Sequence, residues 1–241
     1  INRLTSIPVG LSITALLVAS FWQRRAQVVL AAVASFLLVG INAWLGARVV
    51  FSGLKPGTIT VHMALAILLQ CTLVFTAWRG TTRPWRLPLK GNRQVVWIAA
   101  SLFALVVLEG VMGSQVREMT DTLAKTHVGQ PRSAWVVELE ESWVYLVHRS
   151  FSWFVLGFGV WFLRASLISL GRAGWLEKSI FALVLGQMFL GLVLSQVGIV
   201  AVAQILHIGL SSLLVSGLFL WLLASFREPD AESAAAGSGA P

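Results

Sequence analysis

The sequence predicts an all-α polytopic membrane protein. The chain is 57% hydrophobic and 12% charged, with a mean hydropathy of +0.81. A soluble globular domain carries about 25% charged residues. Seven apolar runs are each long enough to cross a ~30 Å hydrocarbon core, which takes about 20 helical residues. Two stretches of the chain also repeat each other. The runs are continuous and do not alternate, so helices are expected and a barrel is not. The net charge of +8 does not imply nucleic acid, because the basic residues lie mostly in short loops between apolar runs.

The expected spans, in order, are Leu4–Trp22, Ala26–Phe51, Thr58–Trp78, Gln94–Gly113, Ser142–Arg164, Ser179–Ser195 and Gly198–Phe226. If they alternate, Arg24, Arg25, Arg79, Arg83, Arg86, Lys90, Arg93, Arg164, Arg172, Lys178 and Arg227 share one face. The positive-inside rule makes that face cytoplasmic, with the amino terminus of the chain outside and the carboxyl terminus inside. The boundaries divide the chain into an amino-terminal half-bundle at 1–80, a basic linker at 81–93, a four-helix bundle at 94–226 and a polar, disordered tail at 227–241. The single cysteine, Cys71, lies inside the third span, so it is read as a small core residue.

The repeat is the strongest internal signal. Asn2 precedes His62 by 60 residues, and His148 precedes His207 by 59. A Leu-Gly pair precedes each closing histidine: Gly46 and Gly191 both lie 16 residues ahead. The second copy has an extra helix and outer loop before His148. The same arrangement in the first copy would place a further helix and loop ahead of Asn2, for eight helices in two pseudo-twofold-related four-helix bundles.

Histidines inside a membrane are costly and rare, which makes a matched set a functional candidate. His62, His148 and His207 lie about four, six and nine residues into helices that start on one face, so all three fall in the same half of the bilayer. Imidazole is the usual protein ligand for haem iron. His148 and His207 are read as two axial ligands, an arrangement suited to electron transfer. The competing reading is two satisfied polar residues in a helix interface. Asn2 takes the place of His148 in the first copy, and an amide is a poor iron ligand. His62 alone would leave an open iron face, as oxygen activation requires, unless that half has lost its ligand and its activity. Arg3 and Arg149 follow the ligand positions, and Arg48 lies near a helix end. Each can pair with a haem propionate or snorkel to headgroups. Glu109 is read as a residue of the outer interface, His127 as a solvated loop residue, and the helix glycines mainly as close-packing sites.

The chain resembles the haem A synthase family, the CtaA/Cox15 proteins, over nearly all of 2–226. The resemblance rests on "HRSFSW" at His148, "LHIGLSSLL" around His207, "TVHMALAILL" around His62, "NAWLGARVVFSG", "GQMFLGLVLSQVG" and "EGVMGSQVRE". It implies that a carboxyl-terminal bundle holds haem b between His148 and His207. It also implies that an amino-terminal bundle oxidises the C8 methyl of haem O to the formyl group of haem A, at the positions Asn2 and His62. The family's catalytic glutamate would fall ahead of residue 1. The outer-loop cysteine pair of many bacterial members has no counterpart in the outer loop present. The implied setting is a bacterial cytoplasmic membrane, with haem O synthase, cytochrome oxidase assembly factors and a membrane electron donor as partners and homo-oligomerisation left open. The rival readings are a b-type cytochrome subunit or a non-catalytic haem-binding protein, and a repeat-built transporter.

Overall fold

A computed structural model describes residues 2–51, 57–89, 93–196 and 200–226; the side chains of 2–6 and 50–51 lie outside the described set. Eight α-helices account for most of these residues: α1 (Asn2–Gln23), α2 (Ala26–Phe51), α3 (Thr58–Gly80), α4 (Arg93–Thr126), α5 (Val136–Glu140), α6 (Trp143–Leu170), α7 (Trp175–Gln196) and α8 (Ala201–Ser225). No strand occurs among the described residues. Six helices, α2, α3, α4, α6, α7 and α8, are long and apolar enough to cross a membrane, and Ile7–Gln23 of α1 is a shorter apolar helix. The chain is an integral membrane protein with all-helical architecture. The tail at 227–241 lies outside the described residues.

The predicted spans match the helices closely, with two differences. The fourth helix does not stop at Gly113 but runs on to Thr126, making it about 51 Å long at 1.5 Å per residue. Its added turns are polar, so hydropathy misses them, yet Glu118 and Thr120 are buried there. The helix of His148 extends past Arg164 to Leu170 and ends at Gly171, whose φ of +71° suits glycine. Ser142 starts it, accepting a hydrogen bond from Tyr145 N at 3.3 Å.

Helices α4, α6, α7 and α8 form a ring in which each packs against the next, and α8 closes back onto α4. In the other part, α2 packs between α1 and α3. Helix α3 then joins the two parts by packing on both α4 and α8. The core lies inside the ring and is built from Leu102, Val155, Phe162, Ile180, Leu214, Leu218 and Trp221. Small residues allow the close approaches. A Cβ at Gly159 would meet Val184 at 3.4 Å, and one at Gly186 would meet Leu210 at 3.0 Å. Cys71 is packed against this core, as expected.

The two ends of the helices are tied down differently. At the basic end, the Arg25 guanidinium donates to the carbonyls of Arg79 (3.2 Å) and Thr81 (2.9 Å), satisfying acceptors that α3 leaves open at its end. The linker after α3 docks on α8: Leu87 N donates to Ala224 O at 2.9 Å, and Arg86 donates to Phe226 O while stacking over Trp78. At the opposite end, Glu118 accepts from Gly57 N at 2.7 Å, placing a carboxylate at the start of α3, where the helix dipole favours an anion. The loop there is folded, not merely solvated. Trp135 and Leu139 are buried, and His127, read from sequence as a solvated residue, lies 3.2 Å from Glu138.

Arg24, in the turn between α1 and α2, has a φ of +52°; Gly171 holds the corresponding left-handed position between α6 and α7. A non-glycine residue there costs about 1–2 kcal/mol, while glycine costs about 0.5–1 kcal/mol of chain entropy. Arg24→Gly is therefore expected to raise stability by up to about 1.5 kcal/mol, the difference of those terms. A thermal melt in detergent checks it, and a lower melting temperature would contradict it.

Candidate haem-ligating site

The three membrane histidines come from three helices that start at the same end: His62 on α3, His148 on α6 and His207 on α8. Each ring packs edge-on against a glycine of a neighbouring helix. A Cβ at Gly46 would lie 3.5 Å from His62 Cε1, one at Gly113 would lie 3.4 Å from His148 Cε1, and one at Gly191 would lie 3.9 Å from His207 Cε1. The Gly46–His62 and Gly191–His207 contacts are the 16-residue spacing of the repeat made physical. Gly113 supplies the same contact to His148 from α4. These three glycines therefore seat imidazoles, whereas the sequence marked them mainly as helix-packing residues.

The Nδ1 atoms of all three rings are buried without a hydrogen-bond partner. The helices of His148 and His207, α6 and α8, sit on opposite corners of the four-helix ring. Below them the diagonal closes in layers set by a seven-residue step. Val155 and Leu214 are each seven residues past their histidine, and Phe162 and Trp221 fourteen past. Each step is two helical turns, about 10 Å. The Phe162 and Trp221 rings meet edge-on at 5.1 Å between centroids, and both are fully buried. Trp221 Nε1 also donates to Glu177 Oε1 at 2.8 Å. A packed apolar floor thus underlies two imidazoles.

Glu109 is the residue that the sequence placed wrongly. It is not an exposed residue: its side chain is 17% exposed, and its Oε1 lies 3.2 Å from His148 Nδ1. The pair is near enough for charge contact but out of line for a hydrogen bond, and Oε2 is buried with no partner. Because α4 continues to Thr126, Glu109 lies well inside the helix. A repeated sequence pattern could have found it. A polar residue precedes each histidine-seating glycine by four positions: Asn42 before Gly46, Glu109 before Gly113 and Gln187 before Gly191. Four residues place both on one helix face. Gln187 Nε2 donates to His207 O at 2.7 Å, and both side-chain polar atoms of Asn42 are buried and unpaired.

The remaining candidates divide. Arg149 is exposed, next to His148. Arg48 is exposed and its guanidinium stacks 5.7 Å from the Trp44 ring centroid. Asn2 begins α1, but the side chains of Asn2 and Arg3 lie outside the described residues. Among the described residues no three His, Cys, Asp or Glu side chains cluster, so the histidines do not form a site for a bare ion.

A sequence profile for COX15-CtaA, described as cytochrome oxidase assembly protein, matches residues 1–219. The chain belongs to the COX15-CtaA family. No curated protein and no solved structure matches it. Family membership assigns it to cytochrome oxidase assembly, and the histidine arrangement is the part of this COX15-CtaA protein that bears on chemistry.

The donor set suits haem. Two imidazoles come from diagonal helices of one bundle, their ring edges seated on glycines and their Nδ1 atoms unclaimed. No side chain among the described residues hydrogen-bonds Nε2 of His62, His148 or His207, which leaves the usual iron-ligating nitrogen available.

Proposed function

We propose that the protein is a haem A synthase, a haem-dependent oxidoreductase that converts haem O to haem A by oxidising the C8 methyl to a formyl group. The observation that carries this reading is the set of three glycine-seated histidines, in a family whose role is cytochrome oxidase assembly. His148 and His207 hold haem b, and His62 holds the substrate haem. Bound haem supplies one-electron and oxygen chemistry that no side chain can. The protein's contribution is position. Gly46, Gly113 and Gly191 fix the ring planes. The Val155–Leu214 and Phe162–Trp221 layers exclude water beneath the paired histidines. Arg3, Arg48 and Arg149 offer guanidinium groups for propionates, a bidentate match when they meet. The joining of the two parts through α3, α4 and α8 keeps the His62 and His148–His207 positions in one packed unit.

The expected setting is a bacterial cytoplasmic membrane with the basic end inside. The expected partners are haem O synthase, cytochrome oxidase assembly factors and a membrane electron donor. Asn2 supports a second reading, since it stands where His148 stands in the second copy. On that reading the protein binds haem b and performs no methyl oxidation. Expression in cells supplied with haem O, followed by chromatography of extracted haems, separates the two. Haem A that disappears in His62→Ala supports the synthase; haem b alone, unchanged by haem O, supports the cytochrome.

A further inference from the structure

We propose that Glu109 is the positioning residue of His148: a small rotation of the ring brings its Nδ1 proton into line with the neighbouring carboxylate, which accepts it and so fixes the tautomer that leaves Nε2 bare. The haem consequence rests on the function proposed above; the tautomer does not. His148 Nδ1 and Glu109 Oε1 are 3.2 Å apart, and Nδ1 has no other partner. Oε2 of Glu109 is buried and equally unpaired. A buried polar atom with no partner is costly, and Oε1 of Glu109 is the acceptor within reach of the unpartnered Nδ1. Gly113, one turn along α4, holds the same ring at Cε1, between its two nitrogens. Glycine and glutamate thus grip one imidazole from one helix face, the first by shape and the second by a proton.

The other copies support this. Gln187 occupies the matching place on α7 and anchors the His207 main chain, with its Nε2 2.7 Å from the His207 carbonyl. Asn42 occupies it on α2, buried and unpaired. Each seating glycine has a polar companion, but only Glu109 carries a carboxylate, and only Glu109 approaches a ring nitrogen. The two imidazoles of the bundle are therefore unequal. A carboxylate on Nδ1 makes His148 the more basic ligand, and such outer partners are one of the levers that set a haem potential.

Two variants of the full chain in detergent test this. Nitrogen-15 NMR of histidine-labelled, haem-free protein is expected to show His148 with the proton on Nδ1. Glu109→Gln keeps an acceptor oxygen and that tautomer; Glu109→Ala gives a mixture. In the haem-loaded protein, Glu109→Gln is expected to raise the midpoint potential of the His148-ligated haem, and Glu109→Ala to weaken haem retention by about 10–100-fold. A His148 proton on Nε2 in the parent, or the same tautomer in Glu109→Ala, would overturn the proposal. So would an unchanged potential in Glu109→Gln. A protein that takes up no haem sinks the proposed function and leaves the NMR arm to decide this one.

Discussion

His207→Ala is expected to abolish the low-spin, two-imidazole haem of the carboxyl-terminal bundle, and His148→Ala to do the same. Each ring is the only imidazole on its helix of the four-helix ring, and each sits against a glycine of a neighbouring helix. The apolar layers below begin at Val155 and Leu214, about two turns away, and neither helix carries a second imidazole. Absorption spectra of the reduced, purified variants check this. A low-spin b-type spectrum that survives either substitution would show that the ligand lies elsewhere. His62→Ala should leave that spectrum intact while eliminating any haem A, because His62 lies on α3, outside the four-helix ring. The contrast matters more than either loss alone.

Trp221→Ala is expected to destabilise the protein by about 3–5 kcal/mol, the usual cost of emptying a buried aromatic site. The loss has two parts. The edge-on contact with Phe162 disappears, and the Glu177 carboxylate, only 2% exposed, loses the indole N–H that satisfies it. Glu177 lies in the first turn of α7 and curls back toward Gly174, where a Cβ would come within 2.7 Å of Oε2. Its carboxyl group is thus held between a helix start and one tryptophan. Trp221→Phe keeps most of the volume but strands the acceptor, so it should cost about 1–3 kcal/mol. Thermal melts in detergent read both. Equal melting temperatures for Trp221→Phe and the parent would show that the Glu177 bond contributes nothing.

The helices were legible because apolar runs separated by basic turns leave little choice. Residues 26–51 were bounded at both ends from sequence alone. Thr120 and Glu118 show where that logic fails. They are polar, so the run stops at Gly113, but tertiary contacts keep the helix going: Glu118 reaches Gly57 across to α3, and Thr60 and Ser114 hydroxyls meet at 3.2 Å. Hydropathy reads lipid contact and is blind to polar docking between helices.

The site was partly legible for a related reason. A repeat spacing finds residues that recur, so it found His62 and His207 with their glycines. It did not single out Gly113 or Glu109, which lie outside the two stretches that repeat. Nor could spacing say that Glu109 faces inward, since one helix turn separates an interface from a ligand shell. The polar-then-glycine pattern at Asn42, Glu109 and Gln187 was present in the sequence. It becomes meaningful only once the glycines are seen to touch imidazoles.

The proposed function requires that these histidines hold haem. Its most direct test is the haem content of the detergent-purified chain, by extraction, chromatography and pyridine haemochrome spectra. The account predicts haem b together with haem O or haem A. A purified, folded chain containing no haem of any kind, from cells supplied with haem O, would contradict it.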